Sequence, residues 1–167
     1  MRSTGLLCMI VFVSAFLLPS CAAEDTSRLC SKRLDSIGRT LTQAYTPEEL
    51  ATLFGQENPW QAVVADWESR KHRPRSDLPR DLCGCPAAND VPYVLNTRLA
   101  IALRKGLSPS AIPLMWDAPG HHGNRVPVYF LDGLTATLET AELRKTLEQA
   151  GAAGSGEWSG PRETWGC

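Results

Sequence analysis

The sequence has no apolar stretch long enough to cross a hydrocarbon core as a retained helix. Its one pronounced stretch, Leu6 to Leu18, covers 13 residues, against the about 20 that a spanning helix needs. It also has no excess of charge of one sign: 17 Lys and Arg stand against 18 Asp and Glu. Nucleic acid demands a concentrated positive field, so no nucleic-acid partner is expected. The one basic cluster, Arg70-Lys71-His72-Arg73-Pro74-Arg75, has no interleaved aromatic residues and runs on to Asp77 and Asp81. It reads as a solvated loop, with contact to an anionic surface as the alternative. No serine or free cysteine stands where the pattern would justify a nucleophile beside a histidine base. No catalytic residue is therefore assigned, and a non-enzymatic role is the leading expectation.

What the N-terminus does have is an export pattern. Arg2, the apolar stretch and the small residues Ser20-Cys21-Ala22-Ala23 are the three zones of a secretory signal, which sets residues 1–20 apart from the fold. Leu18-Pro19-Ser20-Cys21 resembles a bacterial lipobox, which would make Cys21 the acylated first residue of the mature chain, with the membrane as partner through its lipid. Ala22 after that cysteine favours the outer membrane over the inner one. Cleavage by an ordinary signal peptidase, giving a soluble periplasmic or secreted protein, is the alternative. From Cys21 onward 147 residues remain, enough for one domain with a real core. That domain is placed at 21–150, with 151–167 as a flexible tail ending in a cysteine.

Processing leaves Cys30, Cys83, Cys85 and Cys167 for the folded domain, an even set in an oxidising compartment. Three pairings are open. A direct Cys83–Cys85 bridge would close a very tight ring, so each of these two is expected to reach a distant partner, one tying the first helix to the core and the other holding the tail. A competing reading gathers Cys83, Cys85, His121 and His122 around zinc, although the spacing is not a usual zinc pattern.

Apolar residues at Cys30, Leu34, Ile37, Leu41 and Tyr45 recur at helical intervals. Thr46-Pro47-Glu48-Glu49 supplies an N-cap, a first-turn proline and a capping-box glutamate for a second helix through Phe54. Trp60 to Trp67 is a third short helix, its tryptophans serving as core filling. Pro92 places the strand 91–95 at a sheet edge; a short helix, 98–105, and a strand, 112–116, follow. Val126 to Leu131, Asp132-Gly133 and Leu134 to Leu138 form the strongest local pattern, a hairpin with a two-residue turn. Its second strand buries Leu134, Ala136 and Leu138 on one face. Thr140 then caps a last helix through Leu143, Leu147 and Ala150. The fold class is α+β, an N-terminal amphipathic helix on a small antiparallel sheet with a C-terminal hairpin and final helix.

The order Cys30, Leu34-Asp35-Ser36-Ile37-Gly38, Cys85-Pro86, Tyr93-Val94-Leu95-Asn96, Ile112 to Asp117, His122-Gly123-Asn124 and Val128 to Gly133 resembles the type II secretion-like pseudopilins of planctomycetes and verrucomicrobia. The resemblance implies a pseudopilin-like head, with His122, Asp132 and Gly133 as its motif residues. Two departures stand out: an export signal ending at Cys21 replaces the polymerising helix, and Leu134 follows Asp-Gly where the family has histidine. His122 and Asp132 could close the loop 120–125 between them, while Asp132 more simply accepts backbone N–H groups in its own turn, and His121 is a surface residue. Asp117, Asn124 and Asp132 could supply oxygens to calcium.

Together these features lead to an envelope lipoprotein with a structural or interaction role toward an unknown envelope protein, needing no cofactor, with calcium or zinc as the exceptions. Two alternatives stand beside it: a metal-dependent envelope hydrolase using His121, His122, Asp117 and Asp132, and a periplasmic binding module using exposed tryptophans among Trp60, Trp67 and Trp116.

Overall fold

The computed structural model describes residues 20–70, 85 and 93–151, with side chains from residue 27 onward. The export segment, the side chain of Cys21, most of the basic cluster, Cys83, and the tail with Cys167 lie outside the described residues.

The described residues form a mixed α+β fold: three N-terminal helices, a small antiparallel sheet interrupted by a short α-helix and a 3-10 turn at Pro109–Ala111, and a C-terminal helix. Helix α1 spans Ser20–Ala44, α2 Pro47–Phe54 and α3 Pro59–Ser69. Strand β1 is Val94–Leu95, α4 Leu99–Arg104, β2 Pro113–Trp116, β3 Arg125–Phe130, β4 Thr135–Glu139 and α5 Thr140–Ala150. The sheet order is β1-β2-β3-β4, every neighbouring pair antiparallel. Among the described residues no helix is long and apolar enough to cross a membrane.

The helical stripe read from the sequence is the buried face of α1: Cys30, Leu34, Ile37 and Leu41 are fully enclosed and Tyr45 nearly so. Burying a Leu or Ile side chain contributes roughly 1.5–3 kcal/mol, so this stripe holds the helix to the sheet. Both α1 and α5 pack on β2, β3 and β4, and β3 is buried at every position after Arg125. Alternate residues of a strand face opposite sides, so the sheet is covered on both faces. The α2 capping box forms as expected: Thr46 N–H donates to Glu49 Oε2 at 2.7 Å, and Glu49 N–H donates to Thr46 Oγ1 at 3.3 Å. Arg70 is not simply solvated. It pairs with Asp66 at 2.7 Å and Glu49 at 3.1 Å, and lies 4.2 Å from the centre of the Tyr45 ring.

Three local expectations are corrected. The hairpin turn has three residues, 131–133, not two: Phe130 N–H donates to Leu134 O at 2.9 Å, and Gly133 N–H donates to Phe130 O at 3.0 Å. Gly133 at φ 90° takes the left-handed position that a three-residue loop requires. This shift leaves Leu134 at the turn, 64% exposed, instead of on the buried face with Ala136 and Leu138. Thr140 is the first residue of α5 and not its cap; its N–H donates to Asn124 O at 2.9 Å, so the backbone of the β2–β3 connection meets the helix start.

At Gly38 the α1 backbone comes close to the sheet. A Cβ built there would stand 2.5 Å from the Tyr129 ring, inside any tolerable contact. Replacing it with alanine should gain up to about 1 kcal/mol of helix propensity and lose about 1–3 kcal/mol to overpacking. The expected outcome for Gly38→Ala is a lower urea midpoint, with Gly38→Val lower still; an unchanged midpoint would show that the helix can lift off Tyr129 freely.

Candidate metal centre

The β2–β3 connection begins at Asp117. Its N–H donates to Pro127 O at 3.1 Å, which fixes the residue to the end of the sheet, and its side chain is fully buried. A buried carboxylate is costly unless its oxygens are satisfied, and here both are. Oδ1 accepts from Ala118 N–H at 2.8 Å and from His121 Nδ1 at 2.7 Å. Oδ2 lies 3.0 Å from His122 Nε2. Neighbouring side chains in an extended strand would diverge. Gly120 and Gly123 flank the two histidines at φ 102° and 68° and bridge each other across the loop. Among the described residues, no atom beyond its chain neighbours lies within 4 Å of a Cβ built at either glycine, so they serve the left-handed backbone that turns both rings onto one carboxylate.

On the other side of His122 stands sulfur. Cys30, from α1, is disulfide-bonded to Cys85, with Cα atoms 5.2 Å apart at a sequence separation of 55. His122 Nε2 lies 3.2 Å from Cys85 Sγ. A carboxylate only accepts, so the Nε2 proton is shared between Asp117 Oδ2 and, more weakly, the sulfur. One ligand atom from each of Cys30, Cys85, Asp117 and His122 falls within 4.8 Å of the others. The cysteines and Asp117 are fully buried, and the His122 side chain is 5% exposed.

The sequence expectations fare unevenly. A disulfide tying the first helix to the core is present. His122 is directed at Asp117 and Cys85, while Asp132 sits in the exposed hairpin turn, its Oδ1 accepting Leu134 N–H at 3.0 Å. His121 is not a plain surface residue, because its ring is held on Asp117 and its side chain is 20% exposed. Asn124 is exposed beside the start of α5. Trp67 and Trp116 are core residues, and Trp60 packs partly buried against the core and donates Nε1–H to Tyr93 O at 2.8 Å, so these three tryptophans form no open stacking surface among the described residues.

The larger correction concerns chemistry. The chain was expected to lack convergent polar groups and to have a structural role without catalysis. Two sulfurs, an imidazole and a carboxylate gathered at one buried point overturn that reading. The metal-dependent alternative already joins Asp117 with His121 and His122, and the structure brings those three together; sequence reasoning misses Cys30 as a donor beside them, and the signal for the site is Asp117 itself, a carboxylate closing the wholly apolar run Ile112 to Trp116. Searches against family models, curated proteins and solved structures return no match, so the centre is interpreted from its own chemistry.

Loss of the covalent link should be felt globally. Closing a loop of 55 residues corresponds to roughly 4 kcal/mol in the chain-entropy relation. The Cys30→Ala, Cys85→Ala double variant should lose stability on that scale in urea unfolding; a loss under about 1 kcal/mol would mean that packing alone already positions α1.

Proposed function

We propose that this chain is an exported metal-binding protein whose centre is formed by Cys30, Cys85, Asp117 and His122, with a zinc-class divalent cation as its ligand. The observation that carries the reading is the convergence of four ligand atoms within 4.8 Å, from α1, residue 85, the end of β2 and the following loop. Two thiolates, an imidazole and a carboxylate are donors that zinc accepts in tetrahedral geometry. Calcium prefers six to eight oxygens, and the cluster offers a single carboxylate. His121 and Ala118 N–H would hold Asp117 from behind, the kind of outer-shell support that orients a ligand. The ion would take the place of the proton now shared from His122 Nε2.

Export and acylation at Cys21 belong to the same proposal; the signal pattern at the N-terminus and a disulfide suited to an oxidising compartment support them. A pseudopilin-like head is proposed for the fold, supported by a 25-residue helix lying on a four-stranded antiparallel sheet. A hydrolytic role for the centre has one observation in its favour. Hydrolytic zinc needs an open position, and Asp117 is the donor with partners ready to receive it if it leaves the ion.

The test is cobalt(II) binding to the reduced full-length chain, as a spectroscopic stand-in for zinc. One ion per chain with a thiolate-to-metal charge-transfer band is expected. His122→Ala and Asp117→Asn should each weaken binding by at least the roughly 10–100-fold that loss of a mere outer-shell partner costs. Asp132→Asn should bind as the parent does. Undiminished binding by His122→Ala, or none by the parent, would refute the assignment.

A further inference from the structure

We propose that the Cys30–Cys85 disulfide is a redox gate on this centre, so that the same two sulfurs alternate between bonding each other and bonding the cation. The inference rests on the metal reading above and assigns that site its regulation. Both sulfurs of the disulfide belong to the four-donor cluster. A tetrahedral zinc bound at about 2.3 Å holds its two sulfurs about 3.7 Å apart, whereas a disulfide holds them at about 2.05 Å. The two bonding states therefore exclude one another. With the disulfide closed, only Asp117 and His122 remain as donors, and His122 Nε2 is occupied by the proton it shares with Asp117 Oδ2 at 3.0 Å.

The surroundings suit the open state as well. His122 Nε2, 3.2 Å from Cys85 Sγ, is an N–H donor already placed to meet the charge on that sulfur when the S–S bond breaks. A thiolate with a hydrogen-bond donor beside it is the better leaving group. Opening requires a dithiol reductant: its thiolate attacks Cys30 Sγ, the S–S bond breaks, and Cys85 leaves as a thiolate. The second thiol then resolves the mixed disulfide, so two electrons and two protons pass to the cysteines and the reductant ends as a disulfide. Loading displaces two thiol protons to solvent and moves the His122 proton from Nε2 to Nδ1. Closing takes a two-electron oxidant of the peroxide class: two thiolates become one disulfide, the peroxide and two protons become two waters, and the cation is released. Both cysteines are fully buried, so each passage follows local opening and the gate is slow toward casual thiols.

The experiment uses a full-length chain with Cys8, Cys21, Cys83 and Cys167 changed to Ser, so that every thiol counted belongs to the gate. Zinc is the probe, with a zinc-sensitive dye and a thiol reagent read in parallel. As the disulfide, the chain should show no thiols and retain no zinc. After reduction it should show two thiols and bind one zinc, and peroxide should release that zinc in step with the loss of both thiols. Zinc binding of equal affinity by oxidised and reduced chains, or zinc retained after peroxide has consumed the thiols, would overturn the gate and leave a metal site standing. A reduced, folded chain that binds no zinc would instead remove the metal reading and the gate with it. If reduction alone unfolds the chain, zinc present throughout decides: retention of fold with one bound ion supports the gate, and unfolding with zinc present overturns it.

Discussion

Everything in the molecule is referred to the seat of α1 on β3. Gly38 lets the helix backbone reach the Tyr129 ring, and two polar contacts pin the register around that point. Thr42 Oγ1 meets Tyr129 OH at 3.1 Å, and Thr135 Oγ1 donates to Asp35 Oδ1 at 2.8 Å. The hydrogen bond from Arg39, with that from Thr135, holds the Asp35 carboxyl below its usual range although partial burial opposes them. With both faces of the sheet covered, the helix cannot slide without exposing part of its apolar stripe. Cys30 lies eight residues before Gly38, about 12 Å along the axis at 1.5 Å per residue. The seat that fixes the core thus also delivers one sulfur to the place where β2 ends.

At that end the governing constraint is electrostatic. Asp117 is buried because the strand before it is buried, and a buried carboxylate requires donors on both oxygens. The loop answers with two adjacent imidazoles and one backbone N–H, and the glycines on either side make that convergence possible. This arrangement satisfies a charge, but it also places a borderline nitrogen donor and a hard oxygen donor against two sulfurs. With the disulfide reduced, a site of this composition would supply the four donors of the tetrahedral ion proposed above.

Elements whose signals are local were legible in the sequence: the apolar stripe of α1, the capping box at Thr46 and Glu49, the hairpin and the helix through Leu143 and Leu147 all form. The error at Leu134 comes from turn geometry, where one additional loop residue draws Leu134 into the turn while Ala136 and Leu138 stay against the core, and the error at Thr140 is a one-residue shift of the helix start, with Glu139 at the N-cap. The site was far less legible. Its donors lie at 30, 85, 117 and 122, so spacing rules were drawn to the near pairs Cys83-Cys85 and His121-His122. Cys30 reads as a stripe residue and as a disulfide candidate, both of which it is, but its place beside Asp117 and His122 appears only when the fold brings residue 85 to it. Asp117 reads in sequence both with His121 and His122, which the fold brings onto its carboxylate, and with Asn124 and Asp132, which the backbone sends to the start of α5 and to the hairpin turn.

One covalent bond therefore has two consequences that pull in different directions. As a disulfide it restricts the unfolded chain and stabilises the fold, while it withholds both sulfurs from a cation. Opening it gives up that restriction and creates the donor set. A cation bound only by the folded state stabilises that state in proportion to the logarithm of its concentration over its dissociation constant, and the ligands it joins are those the disulfide joined, α1 and residue 85, now extended to the end of β2 and its loop. In the proposed loaded state the ion would replace the lost crosslink with a broader one. Metal occupancy and the integrity of the helix–sheet seat would then be linked quantities, and a change at Gly38 or Tyr129 would act on the centre through the position of Cys30.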